Sequence, residues 1–282
     1  MQIIRAEVLG FCFGVKRAVY EAEAEVEKNK SQKKIYTLGP LIHNPVVLDS
    51  LKKQGVNILS EDELCSVQKD DIVIIRAHGT TPEVIENLKS KGACIIDETC
   101  PRVHISQLRA EEWANKGYQV IIAGDKNHGE VVGISGYAKN NAAVVQDCED
   151  AENLCVKEKA ILIAQTTFSP ELFEKISSIL KAKNKKLLVF NTICTATMER
   201  QDALKKLKGQ ADGIIVIGGK TSANTRRLFE TAKTCALKAA LIEDSSQIPK
   251  EFYKLKTVAL TAGASTPDSV IQNVENKLFQ NQ

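Results

Sequence analysis

Three cysteines in this chain have the context to hold one metal centre. Cys12, Cys100 and Cys194 each follow a short apolar run and precede a segment that can be helical, and they stand 88 and 94 residues apart. The chain contains no C-x-x-C pair, the usual source of local zinc ligands. A near-constant period of this length accommodates one small α/β module per repeat and would bring equivalent loops to a pseudo-threefold axis. Three thiolates on such an axis suit a 4Fe-4S cubane, in which three protein ligands instead of four leave one iron open for substrate. Zinc with a fourth ligand is the competing chemistry, and three core cysteines without metal is the plainest reading. Cys65, Cys94, Cys148, Cys155 and Cys235 show no such rhythm and read as packing or surface residues.

A second group of residues could bind an anion. Six loops follow short apolar runs, two per repeat, where parallel α/β sheets place their working residues. The first repeat offers Gly39 to Asn44 with His43, and Arg76 to Thr80 with His78. The second offers Gly124 to Glu130 with His128, and Gln165-Thr166-Thr167. The third offers Gly218 to Asn224 with Ser222 and Ala223, and Ala262 to Thr266 with Ser265. A lone histidine is more often structural than functional, but three of the four occupy equivalent places, while His104 sits among helical residues. The glycine-rich stretches could be tight turns and nothing more. Combined with Ser222, Asn224, Ser265 and the imidazoles, they supply the N–H and O–H donors a diphosphate needs without a Walker-type lysine loop.

These loops require strands to carry them. Candidate strands are Ile35–Leu38, Val56–Leu59, Ile72–Ile75 and Cys94–Ile96, then Gln119–Ala123, Ala143–Gln146, Ala160–Ala164 and Leu187–Phe190. After Cys194 come Gly213–Ile217, Ala239–Ile242 and Thr257–Thr261, one strand short, and Gln2–Val8 could complete the set. Between strands the spacing is helical; Val15, Ala18, Val19, Ala22 and Val26 share a face. The expected fold is therefore α/β, with three modules of mostly parallel sheet at residues 14–98, 99–192 and 193–282, the last completed by the N-terminal strand within 1–13.

Composition narrows the function classes. With 43% hydrophobic and 26% charged residues the chain is an ordinary globular one. Its 38 basic and 35 acidic residues are interspersed, so no nucleic-acid partner is expected. The N-terminal residues lack the pattern of a signal peptide and no apolar run could span a bilayer, so a cytoplasmic protein with no membrane partner is expected. Eight cysteines in a reducing compartment are not a disulfide framework.

The motifs, taken in order, resemble the 4-hydroxy-3-methylbut-2-enyl diphosphate reductase family of the non-mevalonate isoprenoid pathway. They are Gly10-Phe11-Cys12-Phe13-Gly14-Val15, His43-Asn44, Ala77-His78-Gly79, Thr99-Cys100-Pro101, His128-Gly129-Glu130-Val131, Gln165-Thr166-Thr167, Thr192-Ile193-Cys194, Arg200-Gln201, Ser222-Ala223-Asn224 and Thr261 to Ser265, and they span nearly the whole chain. The resemblance implies a monomeric or weakly associated trefoil of three modules around one central 4Fe-4S cluster held by Cys12, Cys100 and Cys194. It implies that His43, His78, His128, Ser222, Asn224 and Ser265 grip the diphosphate, that Glu130 is the proton source, and that Thr166 orients the substrate hydroxyl or a water. Ala223 stands where the family often has a second serine, so a side-chain hydrogen bond to phosphate would be missing there or replaced by a backbone N–H. The implied reaction is a two-electron reductive dehydration fed by a ferredoxin or flavodoxin, since no flavin or nicotinamide fingerprint is present. Two rivals remain: a cluster dehydratase of the quinolinate synthase type, which would not consume a reduced donor, and a cluster-containing sensor without catalysis.

Overall fold

Short apolar runs between polar segments become strands, and every strand ladder is parallel. The computed structural model describes residues 1–29 and 33–280. Its strands are β1 Gln2–Arg5, β2 Ile35–Leu38, β3 Val56–Leu59, β4 Ile72–Ile75, β5 Cys94–Asp97, β6 Gln119–Ala123, β7 Ala142–Val145, β8 Ala160–Ala164, β9 Leu188–Val189, β10 Gly213–Ile217, β11 Lys238–Ile242 and β12 Thr257–Ala262. Its α-helices are α1 Phe13–Lys28, α2 Pro45–Lys53, α3 Pro82–Ser90, α4 Pro101–Asn115, α5 Gly129–Ala138, α6 Cys148–Asn153, α7 Pro170–Lys183, α8 Thr195–Lys206, α9 Ala223–Cys235 and α10 Asp268–Gln280.

The strands form three four-stranded sheets, ordered β3-β2-β4-β5, β7-β6-β8-β9 and β11-β10-β12-β1. One pattern repeats three times: second strand, first, third, fourth, with β1 serving as the fourth strand of the last sheet. In such an order the first and third strands lie side by side while their onward connections leave in opposite directions. The crevice beyond their carboxyl ends is where open α/β sheets take ligands. The strands in question are β2 and β4, β6 and β8, and β10 and β12. The last five of these are buried along nearly their whole length, as a parallel sheet covered on both faces requires.

Two of the six edge strands, β1 and β9, are shorter than the apolar runs Gln2–Val8 and Leu187–Phe190 suggest. Each has one neighbour, and each is followed by a further ladder-type bond, from Ala6 N–H to Leu260 O and from Phe190 N–H to Leu162 O. Beyond that bond the chain leaves the sheet to reach Cys12 and Cys194.

The chain forms two compact units, one of Met1–Lys16, Ile42–Lys53 and Thr195–Gln282, the other of Arg17–Leu41 and Gln54–Cys194. In the first unit, alternation along β10 sends Ile214 and Val216 towards Leu204 of α8 and Leu228 of α9, and Ile215 and Ile217 towards Val270, Ile271, Val274 and Leu278 of α10. The second unit contains two sheets, and α5 of one packs against α3 of the other. Glycines on α5 permit this approach: a Cβ on Gly136 would lie 2.6 Å from Cγ2 of Thr81, and one on Gly133 3.4 Å from the carbonyl oxygen of Thr80. Among the described residues, no helix is long and apolar enough to cross a membrane.

Candidate active site

The three cysteines are placed by the same device. In each sheet the fourth strand leads into the cysteine, whose backbone N–H donates to a carbonyl two residues past the end of the third strand. Cys12 N–H bonds Ala264 O after β12, Cys100 N–H bonds Ala77 O after β4, and Cys194 N–H bonds Thr166 O after β8, at 3.0, 3.0 and 2.8 Å. Each cysteine immediately precedes a helix, respectively α1, α4 and α8. The positive end of each helix therefore faces whatever negative charge the sulfur carries. All three are partly exposed and none is in a disulfide, while Cys65, Cys94 and Cys155 are exposed and Cys235 is buried.

The unit of Arg17–Leu41 and Gln54–Cys194 carries His78, His128 and Glu130. Glu130, in the first turn of α5, is only 1% exposed. Both its carboxylate oxygens accept from one residue: Oε1 from the Thr166 N–H at 2.5 Å and Oε2 from the Thr166 hydroxyl at 2.9 Å. His128 is the N-cap of α5, its Nδ1 accepting from the Glu130 N–H at 3.2 Å. A neutral ring that accepts at Nδ1 carries its proton at Nε2, so His128 is set as a donor there. The His78 ring meets that of His128 edge to face, 5.0 Å between centroids. Sequence spacing does not reveal that loops after β4, β6 and β8 converge in this way.

The unit of Met1–Lys16, Ile42–Lys53 and Thr195–Gln282 carries Cys12 and His43 beside the neutral donors Ser222, Asn224 and Ser265. Ser222 is the N-cap of α9, so Ala223 and Asn224 occupy the first helical positions, whose N–H groups point out of the helix. Asn224 is 4% exposed, and both its Oδ1 and Nδ2 are buried without a partner. Such a buried amide costs about 1–3 kcal/mol unless something binds it. The Ser265 hydroxyl donates to the carbonyl of His43 at 3.2 Å. Gly219 backs onto the same carbonyl, where a Cβ would collide with it, and a Cβ on Gly263 would collide with Oγ1 of Thr225. The glycine-rich stretches are thus close approaches of backbone, not only turns.

Other residues place these groups without lying in the motif loops. Arg200, 3% exposed, reaches from α8 to the carbonyl of Gly10 at 2.7 Å, two residues before Cys12. Arg17 donates to Glu98 at 2.6 Å and to the carbonyl of Thr99 at 2.9 Å, just ahead of Cys100. Arg200 stands among the motifs of the sequence, whereas Arg17 does not; its signal is a helical arginine five residues past Cys12, which the spacing of strands and loops does not single out. His104 is exposed on α4, in keeping with its separate place in the sequence.

The family model described as LytB protein matches residues 3–279. A Treponema denticola protein named 4-hydroxy-3-methylbut-2-enyl diphosphate reductase is 46% identical over 289 residues, covering 99% of this chain and 100% of that one. A Thermoanaerobacter protein of the same name is 44% identical, covering 99% of this chain and 96% of its own. Among solved structures, that of the (E)-4-hydroxy-3-methyl-but-2-enyl diphosphate reductase described as the terminal enzyme of the non-mevalonate pathway is 40% identical, with a TM-score of 0.73, and covers 99% of this chain and 100% of that one. The structure of the E-1-hydroxy-2-methyl-but-2-enyl-4-diphosphate reductase from Plasmodium falciparum is 30% identical, with a TM-score of 0.91, and covers 98% of this chain and 87% of that one.

Proposed function

This chain belongs to the LytB protein family, and we propose that it catalyses the reductive dehydration of (E)-4-hydroxy-3-methylbut-2-enyl diphosphate to isopentenyl and dimethylallyl diphosphates. The observation that carries the reading is the 46% identity, over essentially full length in both chains, to a protein named for this activity. The site residues support it independently: a buried carboxylate paired with a hydroxyl suits proton delivery, and an unpartnered buried amide suits a polar ligand.

Cys12, Cys100 and Cys194 would hold one 4Fe-4S cluster. Their chemistry fits: three partly exposed thiols stand at three helix N-termini, each tied to its sheet by the same backbone bond. When bound, the cluster supplies electrons singly and Lewis acidity at the iron without a protein ligand.

The protein's own groups would do the rest. His43, His78, His128, Ser222 and Asn224 would donate to the diphosphate, joined by Ser265 once its hydroxyl turns from the His43 carbonyl, with Nε2 of His128 as one fixed donor and the N–H of Ala223 taking the place of a hydroxyl. The affinity of the diphosphate, remote from the C–O bond that breaks, would hold the allylic carbon in place. Hydroxide is a poor leaving group, so the departing oxygen needs a proton. Glu130, once protonated on Oε2, would reverse its bond with Thr166: the Thr166 oxygen would accept from Oε2 as its hydroxyl gives its own proton to the departing oxygen. Two electrons and two protons then convert one allylic alcohol into one alkene and one water.

The electrons would come from a ferredoxin or flavodoxin, in the cytoplasm, to a monomeric enzyme. The test is anaerobic reconstitution with iron and sulfide, followed by an assay on the allylic diphosphate with a reduced donor. Visible absorbance of a cubane and donor-dependent formation of both alkenes are expected. Cluster assembly without consumption of the donor would favour the sensor or dehydratase readings and end this one.

A further inference from the structure

Arg76 directly follows β4, at the end of four fully apolar residues, and its guanidinium has an unusual setting. Two glycines make room for it. A Cβ on Gly39, in the loop after β2, would lie 2.6 Å from Nη1, and a Cβ on Gly129, at the start of α5, would collide with Nη2. Gly39 holds a left-handed φ of +68°. The guanidinium is thus lodged against backbone from two different sheets of one compact unit.

Arg76 is in no contact ion pair among the described residues, and its Nε is buried without a hydrogen-bond partner. Burial pushes its pKa down from the usual arginine value, with Glu61 opposing through space. A guanidinium keeps its proton regardless, so a positive charge is held partly desolvated, with its counter-charge only at a distance. That arrangement is costly unless an anion arrives to complete it. The neighbourhood says where the anion would be: His78 is two residues along the same loop, and Gly129 lies between His128 and Glu130.

We infer that Arg76 is a positioning residue for the substrate anion, lodged between Gly39 and Gly129 so that its unpaired charge lies behind the His78 and His128 donors. It acts through the field it adds there and through the loop spacing it sets, not by touching the reacting carbon. The inference rests on the diphosphate reading proposed above. It also accounts for glycine at position 129, which has no left-handed φ to call for one, since a Cβ there would meet the guanidinium.

The test uses the full chain, reconstituted, with inorganic diphosphate as a direct probe of anion binding. Arg76→Gln is expected to raise both KM and the dissociation constant of inorganic diphosphate by about tenfold or more, as loss of one charge-assisted partner implies. Cluster absorbance should be unchanged, the change in kcat much smaller than that in KM, and the dependence of diphosphate binding on ionic strength weaker than in the wild type. Arg76→Lys should recover part of the affinity, because it restores charge without the fork. Arg76→Met removes the charge while keeping the length of the side chain, and serves as the readout if Arg76→Gln does not fold. Wild-type diphosphate affinity in Arg76→Gln, or in Arg76→Met where only that variant folds, would overturn the inference. The binding measurement reads Arg76 even without turnover, whereas a wild-type enzyme that binds diphosphate yet never consumes donor would overturn the reductase reading instead.

Discussion

The loops after β10 and β12 and those after β6 and β8 hang from sheets of the same strand order, yet they carry different chemistry. The first pair presents Ser222, Asn224 and Ser265, neutral donors with no proton to exchange near neutral pH. The second presents His128, Glu130 and Thr166. Burial does not separate them, since Asn224 is 4% exposed and Glu130 1%. Satisfaction does: both oxygens of Glu130 are already met by Thr166, while both polar atoms of Asn224 have no partner. Topology decides where a loop points, and side-chain pairing decides its task. A group that must hand over a proton is oriented beforehand, and a group that only binds is left waiting for its ligand.

The cysteines test what the two regions share, and their loss should have the largest effect. Cys194→Ser should abolish the visible absorbance of the reconstituted cluster together with all donor-dependent turnover, because a cubane with two thiolates left is not stably held. Full iron and sulfide content in that variant would remove Cys194 from the ligand set. Next in size is Glu130→Gln, which keeps the shape and one acceptor but cannot deliver a proton. Turnover should fall about 10²- to 10⁴-fold with cluster absorbance intact. A variant that lost colour as well would show Glu130 to be structural.

The sharpest contrast comes from replacing a polar residue by an apolar one of similar shape in each region. In Asn224→Leu, diphosphate affinity should fall about tenfold, yet thermal stability of the free protein should hold or rise, because an unmet buried amide has been removed. In Thr166→Val the opposite sign is expected for stability, a loss of about 1–3 kcal/mol, because Oε2 of Glu130 is left without its donor. Thermal denaturation of the two variants beside the wild type decides this. If Asn224→Leu melted lower by as much as Thr166→Val, the distinction between a waiting group and an oriented one would collapse.

Much of this was open to reading before any coordinates. Ile72–Ile75, Gln119–Ala123, Ala160–Ala164 and Gly213–Ile217 have the same bounds as strands that their apolar runs suggest, because a strand buried on both faces is apolar at nearly every position and bounded by polar loops. The rhythm of Cys12, Cys100 and Cys194 was legible for a related reason: each follows a fourth strand, and a repeated topology repeats its spacing. What stayed hidden depends on pairing across loops. That Thr166 meets both oxygens of Glu130, or that Gly129 makes room for Arg76, involves residues 36 and 53 positions apart with no periodicity to link them. The division of Ile42–Lys53 from the strand before it was equally out of reach, since α2 is amphipathic whichever unit it packs with.

The smallest effect should come from Ala223, where a family serine is missing. Ala223 is 3% exposed and holds the first helical position of α9, directly after the Ser222 N-cap. Its backbone N–H is one of the donors a helix N-terminus leaves over, and it addresses an anion whether or not the side chain can. Ala223→Ser would add a hydroxyl beside a donor already in place, in a buried position where one extra oxygen must also find room. The expected change in KM is therefore less than about threefold, in either direction, with kcat unaltered. A tenfold fall in KM would mean that the neutral loops bind through side chains and hardly through backbone. The cradle after β10 would then be one donor short, instead of complete with the donors its backbone supplies.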